Sequence, residues 1–347
     1  LQYASYKALE KAVEKHAALS GSAVLINART GEVLAMSNYP SFNPNTSRST
    51  QRSKYIKNRV VTDIFEPGST LKPLTVSAAL KNNSVTPSTL IDTAKGFYRV
   101  GKRLTVRDTH ANGIISVKEV VQKSSNIGTT HIVEGLEKKY LWSMLNSFGM
   151  GTKTGIQYPG EVTGKIHHYE DWGETERATI SYGYGISSTL IQLAQAYTVF
   201  ANDGVIKPIS LFKEEGLVIG RRVIDKKTSH EMLQILESVV TEGTAPYAKV
   251  KGYRVAGKTG TTKKLDMNGG GYGKKYIGSF VGMAPASNPR FILAVMIDEP
   301  TVDGYYGGVV AAPVFSSIMT EALKVYSIPQ DEIEFKNPKE QKMVYLN

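Results

Sequence analysis

The strand-forming residues of this chain lie at its two ends, with a long helical stretch between them. Near the start, Ala23-Val-Leu-Ile26 and Val33-Leu-Ala-Met36 are apolar, β-type runs joined by the turn-forming Asn27-Ala-Arg-Thr-Gly31, a spacing that predicts a hairpin. Comparable runs return only at Tyr253-Arg-Val255, Tyr276-Ile-Gly-Ser-Phe-Val281 and Phe291-Ile-Leu-Ala-Val-Met-Ile297, the last two parted by the turn Ala286-Ser-Asn-Pro289. A lone hairpin is marginal in water, so the early pair must find the late strands. The expectation is an α+β fold whose sheet uses segments 20–40 and 250–325, with a helical part of roughly 70–245 inserted between them.

Other elements fill this frame. Tyr6, Leu9 and Val13 share a face of an amphipathic helix over 3–19, and a helix over Ala312–Val325 closes the fold. Residues 139–215 carry a mostly helical pattern, broken by glycine-rich loops such as Gly149-Met-Gly151 and Gly183-Tyr-Gly185, and a helix over 230–241 comes next. Tyr39 to Lys57, rich in Ser, Asn, Pro and Arg, reads as an exposed loop. The charged, proline-punctuated tail over 329–347 is expected to be partly disordered, leaving one domain over 1–328.

Composition narrows the chemistry. There is no cysteine among the 347 residues, which removes disulfides, thiolate metal sites and cysteine nucleophiles together. Lys and Arg outnumber Asp and Glu by 42 to 31, a net charge of +11. No basic block exceeds two residues and no zinc-finger or aromatic RNA signature accompanies the charge, so an anionic polymer or a carboxylate substrate fits better than nucleic acid. The apolar run Phe291–Ile297 is far short of the roughly 20 residues that span a bilayer. The chain begins at Leu1 inside a helical pattern, and the expectation is a fragment whose membrane anchor lies upstream.

None of the six histidines lies in a G-x-S-x-G elbow or an H-E-x-x-H pair, so a lysine becomes the candidate base. Ser69-Thr-Leu-Lys72 places a hydroxyl and an ammonium three residues apart at a helix start, which Pro73 keeps from beginning much earlier. Free N–H groups at such a start favour a developing negative charge, and a desolvated Lys72 beside other cations could take the serine proton. Ser124-Ser-Asn126 comes after a helix opened by the capping box Ser116-Val-Lys-Glu119; its hydroxyl and carboxamide can relay a proton and hold a substrate amide. Lys258-Thr-Gly260, followed by Thr261, adjoins a strand-like run. Gly260 would let a substrate backbone approach the strand edge, and Lys258, Thr259 and Thr261 would bind a carboxylate. Each pattern has a twin, at Ser210-Leu-Phe-Lys213, Ser41-Phe-Asn43 and Lys153-Thr-Gly155. Only Ser69, Ser124 and Lys258 come in the order helix start, loop, sheet edge.

With that trio the chain resembles the penicilloyl-serine transferases. Phe65-Glu-Pro-Gly-Ser-Thr-Leu-Lys-Pro73, Lys123-Ser-Ser-Asn-Ile-Gly128, Glu176-Arg-Ala-Thr-Ile-Ser-Tyr-Gly-Tyr-Gly185 and Tyr305-Tyr-Gly-Gly308 are similar to class B penicillin-binding proteins, most of all their division-specific D,D-transpeptidases. The resemblance implies a central antiparallel sheet flanked by helices, with an all-helical subdomain. It also implies roles. Ser69 would be acylated with Lys72 as base, Ser124 would pass the proton to the leaving amine, and Asn126 would bind the substrate amide. Lys258 would supply positive potential, Thr259 and Thr261 would hold the carboxylate, and the N–H groups of Ser69 and Thr261 would form the oxyanion hole. Tyr305 and Tyr306 would line the acyl pocket.

The implied reaction cross-links peptidoglycan stem peptides in the periplasm during septal synthesis, is blocked by β-lactams at Ser69, and needs no metal or organic cofactor. Implied partners of the full-length protein are a membrane glycosyltransferase and other division proteins. A β-lactamase, a D,D-carboxypeptidase and a non-catalytic β-lactam sensor or division scaffold share the trio and stay open as alternatives.

Overall fold

The computed structural model describes residues 1–43, 45, 55–102, 104–213, 216–265 and 271–332. The hairpin strands β1 (Ser20–Asn27) and β2 (Val33–Tyr39) join β3 (Ala256–Leu265), β4 (Tyr272–Ala284) and β5 (Phe291–Asp298) in one antiparallel sheet of order β2-β1-β5-β4-β3. The two chain ends meet where Ala23 opposes Val295, and Val281 then sets Lys258 in register on β3. Central strands β1 and β5 are buried almost throughout, as their unbroken apolar runs require.

Among the helices that frame the sheet and the site are α1 (Gln2–Lys15), α2 (Lys72–Lys81), α3 (Asn126–Glu134), α4 (Leu190–Ala201), α5 (Lys226–Thr241) and α6 (Ala312–Val325). α1 and α6 cover one sheet face, and α4, buried along nearly its whole length, covers the other. The stretch Gly307–Val325 is long and apolar enough to cross a membrane by composition, but 56% of that window is buried within the fold, as in a core helix.

Two expectations need correction. Tyr253-Arg-Val255 is not a strand: Tyr253 makes only a local bridge to Val250, and β3 starts at Ala256. The inserted part is not all helical. It holds three two-stranded sheets, Leu90–Asp92 with Ile114–Ser116, Phe97–Val100 with Leu104–Arg107, and Val205–Ile206 with Arg221–Arg222. The helix expected to start near Ser69 does so, opening as a tighter 3-10 turn, Gly68–Leu71, before α2, with Pro73 in the first α-turn where its missing N–H costs nothing. The tail expected to be partly disordered falls largely on 333–347, and the expected exposed loop over Tyr39–Lys57 falls partly on 44 and 46–54, outside the described residues.

Candidate active site

Ser69 sits in the 3-10 turn that abuts glycine on two sides. The Gly68 N–H donates to the Gly183 carbonyl at 3.0 Å, and a Cβ on Gly183 would come within 2.2 Å of the Gly68 oxygen. Gly183 also has φ +88°, a left-handed conformation that suits glycine. The Gly183-Tyr-Gly185 loop is thus the mould for the serine turn. Gly183→Ala is expected to lower stability by about 2 kcal/mol through strain and clash and to slow acylation of Ser69, as thermal melting and adduct formation would measure. On the other side Gly260 serves a neighbour that the sequence does not disclose. Its missing side chain makes room for Thr70 and the Pro67 carbonyl, 2.9 and 3.1 Å from where a Cβ would stand. The glycine lets the serine turn lie against β3.

One turn below Ser69, the side chain of Lys72 is wholly buried. Its Nζ donates to the Ser124 carbonyl at 2.5 Å and to the Ser124 hydroxyl at 3.2 Å. Lys258, equally buried on β3, donates to the same hydroxyl at 3.0 Å and to the Thr259 carbonyl at 3.2 Å. Two lysine N–H donors on one hydroxyl fill both its lone pairs and leave its own hydrogen free to be given elsewhere. Burial is the main force on both lysines. It holds Lys72 well below the ordinary lysine range, with the charge of Lys258 adding to the effect and Asp108 opposing it. It lowers Lys258 to about 7. A lysine whose proton is this loosely held can act as a base near neutral pH.

Ser124 adopts φ +62°, the sharp point of the loop that carries it. This loop is fixed by the start of α3. The N–H of Ser125 donates to Val120, those of Asn126 and Ile127 donate to the Asp108 carboxylate at 2.6 and 3.1 Å, and that of Gly128 donates to the Ser125 hydroxyl at 2.8 Å. Each of these donors, which a helix start would otherwise leave orphaned, thus has an acceptor. The Ser125 hydroxyl also donates to Asp108, and the Asn126 carboxamide donates to the Arg107 carbonyl at 2.9 Å.

β3 is the outermost strand of the sheet, so the open edge at Lys258-Thr-Gly-Thr261 borders the site. Thr259 is buried, and its hydroxyl is engaged with Thr244 at 2.9 Å and Lys258 at 3.3 Å, so it steadies Lys258. Thr261 is partly open and accepts the Gly307 N–H at 3.1 Å, which ties the Tyr305-Tyr306 turn to the strand. Tyr305 stacks on Tyr276 with ring centres 3.9 Å apart and on Tyr306 at 4.7 Å, a three-ring wall beside β3.

The structure therefore brings Lys72 and Lys258 onto the Ser124 hydroxyl, one helical turn beyond Ser69, with Asn126 on the Ser124 loop and Thr261 and the tyrosine turn further along β3. The twin motifs lie elsewhere. Ser210 is bridged to Glu32 in irregular backbone, Ser41 and Asn43 sit in an exposed loop, and Thr154 is tied to Glu161 in another loop. Asp108, Thr244 and Tyr276 escaped sequence reasoning. An acid in a loop, a threonine after a helix and one tyrosine of nineteen carry no local signal, and only the three-dimensional contacts single them out.

A family model described as the penicillin binding protein transpeptidase domain matches residues 21–320. The chain is 40% identical over 329 residues to "Probable peptidoglycan D,D-transpeptidase PenA" of Neisseria flavescens, covering 94% of this chain and 81% of that protein. It is 39% identical over 334 residues to peptidoglycan D,D-transpeptidase FtsI of Escherichia coli K12, covering 96% of this chain but only 56% of the relative, so it spans little more than half of that protein. Among solved structures it is similar to the apo transpeptidase domain of Burkholderia pseudomallei penicillin-binding protein 3, with TM-score 0.87, 43% identity and 96% of each chain covered.

Proposed function

This chain belongs to the penicillin-binding protein transpeptidase family, as a class B transpeptidase domain, and from that premise we propose that it cross-links peptidoglycan through an acyl-enzyme on Ser69. One observation carries the assignment of roles: two buried lysines grip a single serine hydroxyl under the Ser69 turn. In this reading neutral Lys72 takes the Ser69 proton as the serine oxygen attacks the penultimate D-alanyl carbonyl of a stem peptide. The oxyanion formed is held by the N–H groups of Ser69 and Thr261. As it collapses, the C–N bond breaks and Ser124 hands the proton to the departing D-alanine amine. Asn126 holds the substrate amide, Lys258 and Thr261 receive its carboxylate, and Thr259 keeps Lys258 in place. The donor lies along the open edge of β3 as an added strand, with Tyr276, Tyr305 and Tyr306 beside it. The amine of a neighbouring stem then attacks the ester, the C–O bond to Ser69 breaks, and the proton that the amine loses returns to the Ser69 oxygen, leaving the new amide and free Ser69.

A β-lactam would enter the same cycle and stop at the ester. An extracytoplasmic setting, a septal role and a glycosyltransferase partner in the full-length protein belong to the same proposal, supported by likeness to the relatives named above.

Labelled penicillin followed by mass spectrometry tests the first half: a stable adduct on the peptide holding Ser69 is expected, and no adduct or one lost within seconds would overturn it. A D-alanine-ending thioester with and without an amine acceptor tests the second. Amide product supports the transferase; hydrolysis alone would make the protein a carboxypeptidase, and an adduct without any turnover would make it a sensor. The charge of Lys258 predicts a pH signature. Its ammonium is lost as pH rises through about 7, so acylation by a carboxylate-bearing penicillin should decline above that pH. Lys258→Arg should move the decline upward by about 2 units or more, since guanidinium keeps its proton.

A further inference from the structure

The hairpin formed by Phe97–Val100 and Leu104–Arg107 touches α3 at both ends. At the N-terminal end, the Arg107 carbonyl and the neighbouring Asp108 hold Asn126. At the other end the Tyr98 hydroxyl donates to Glu134 at 3.0 Å, and the Tyr98 ring leans on His131 with centres 4.2 Å apart. His131 itself pairs with Glu134 at 2.9 Å. Between these grips the hairpin rests on a small core of its own, Val100 and Val106 with Ile127, Ala178 and Tyr182, separate from the main core. Beside it a cavity of about 200 Å³ opens, lined by Tyr98, Gly101, Glu134, Glu174 and Arg177. Beside this cavity the Tyr98 hydroxyl reaches across to Glu134, near the C-terminal end of α3.

We infer that the hairpin is a two-point bracket on α3, and that Tyr98 is a positioning residue for the Ser124–Asn126 loop. Because α3 is a short rigid rod of nine residues, its tilt at Glu134 moves its first turn, and with it the Ser124 hydroxyl that Lys72 and Lys258 share. The inference rests on the proposed acylation at Ser69. It adds that the serine–lysine geometry is set partly from a surface pair on the far end of α3.

The test is a cycle on the hydroxyl–carboxylate bond, read by penicillin acylation. Tyr98→Phe keeps the ring and removes only the bond. The expected result is a three- to tenfold lower acylation rate constant, unchanged affinity for the non-covalent complex and a melting temperature within about 2 °C of the parent. Glu134→Ala should match it, the double variant Tyr98→Phe with Glu134→Ala should be no slower than either, and Glu134→Gln, which still accepts the hydroxyl, should recover most of the rate. Acylation of Tyr98→Phe at the parental rate, or effects that multiply in the double variant, would overturn the bracket. A loss confined to affinity would place Tyr98 in ligand binding and overturn it too. Failure of the parent itself to acylate would instead strike the proposed function, so the two failures are told apart.

Discussion

Ser69→Ala is expected to abolish the covalent penicillin adduct and to reduce turnover of a D-alanine-ending thioester by at least about 10⁴-fold, the scale seen when a covalent nucleophile is removed. The change should leave the fold intact, because the neighbouring contacts of the turn are made by its backbone and by other residues: Gly68 to Gly183, the Thr70 hydroxyl to Pro67, and the buried Tyr197 hydroxyl to the Thr70 carbonyl at 2.8 Å. The site that remains should still hold penicillin without reacting. Intact-mass spectrometry for the adduct and calorimetric titration for binding separate the two outcomes. Retention of the adduct in Ser69→Ala would move the nucleophile elsewhere.

The second large effect is at Lys72. Lys72→Met, which keeps the buried stem and removes the ammonium, should slow acylation by about 10³-fold or more through loss of the base. It should also change stability in a defined direction. Burial holds the folded-state proton affinity of Lys72 below that of the unfolded chain. The unfolded chain therefore binds the proton more tightly, and stability rises with pH between the lowered folded value and the ordinary lysine range near 10.4. Below that window the folded protein carries the full cost of an ammonium in a dry site. Removing it should leave stability equal or higher at neutral pH and flatten the rise at alkaline pH. Melting scans between about pH 6 and 10 check the sign. A variant that melts much lower at neutral pH would mean that the two bonds to Ser124 outweigh the burial of charge.

How much of this could be read in the sequence depends on how local each signal is. The sheet built from both ends was legible because β1 and β5 carry continuous apolar runs and β4 carries the β-type Tyr276–Val281, and α6 matches the expected range residue for residue. The capping box at Ser116 and Glu119 is likewise a four-residue pattern, present in the structure with both reciprocal bonds. β3 was harder, since Gly257, Lys258 and Gly260 are poor strand formers; pairing with β4 and burial beneath the serine turn override that preference. The small sheets of the inserted part went unseen because strands of two to four residues carry no periodicity. The candidate site obeys the same rule. Ser69 with Lys72 and Ser124 with Asn126 are neighbours in sequence, whereas Asp108 reaches Asn126 across eighteen positions and Thr244 reaches Thr259 across fifteen. Side chains that work by holding others leave no motif behind.

The order of the sheet also sets a timetable. β1 needs β5 as its partner, and Lys258 is held in register through β4, so the first fifth of the chain waits on the last fifth. The serine turn and the Ser124 loop emerge early during synthesis, yet the second lysine arrives 134 residues after Ser124, and the strands that complete the sheet later still. Such long-range pairing makes for slow folding and leaves β1 and β2 without partners in the meantime. Chains cut short after α5 should be unable to assemble the reactive centre at all, and an emerging nucleophile should stay inert until the final strands are in place.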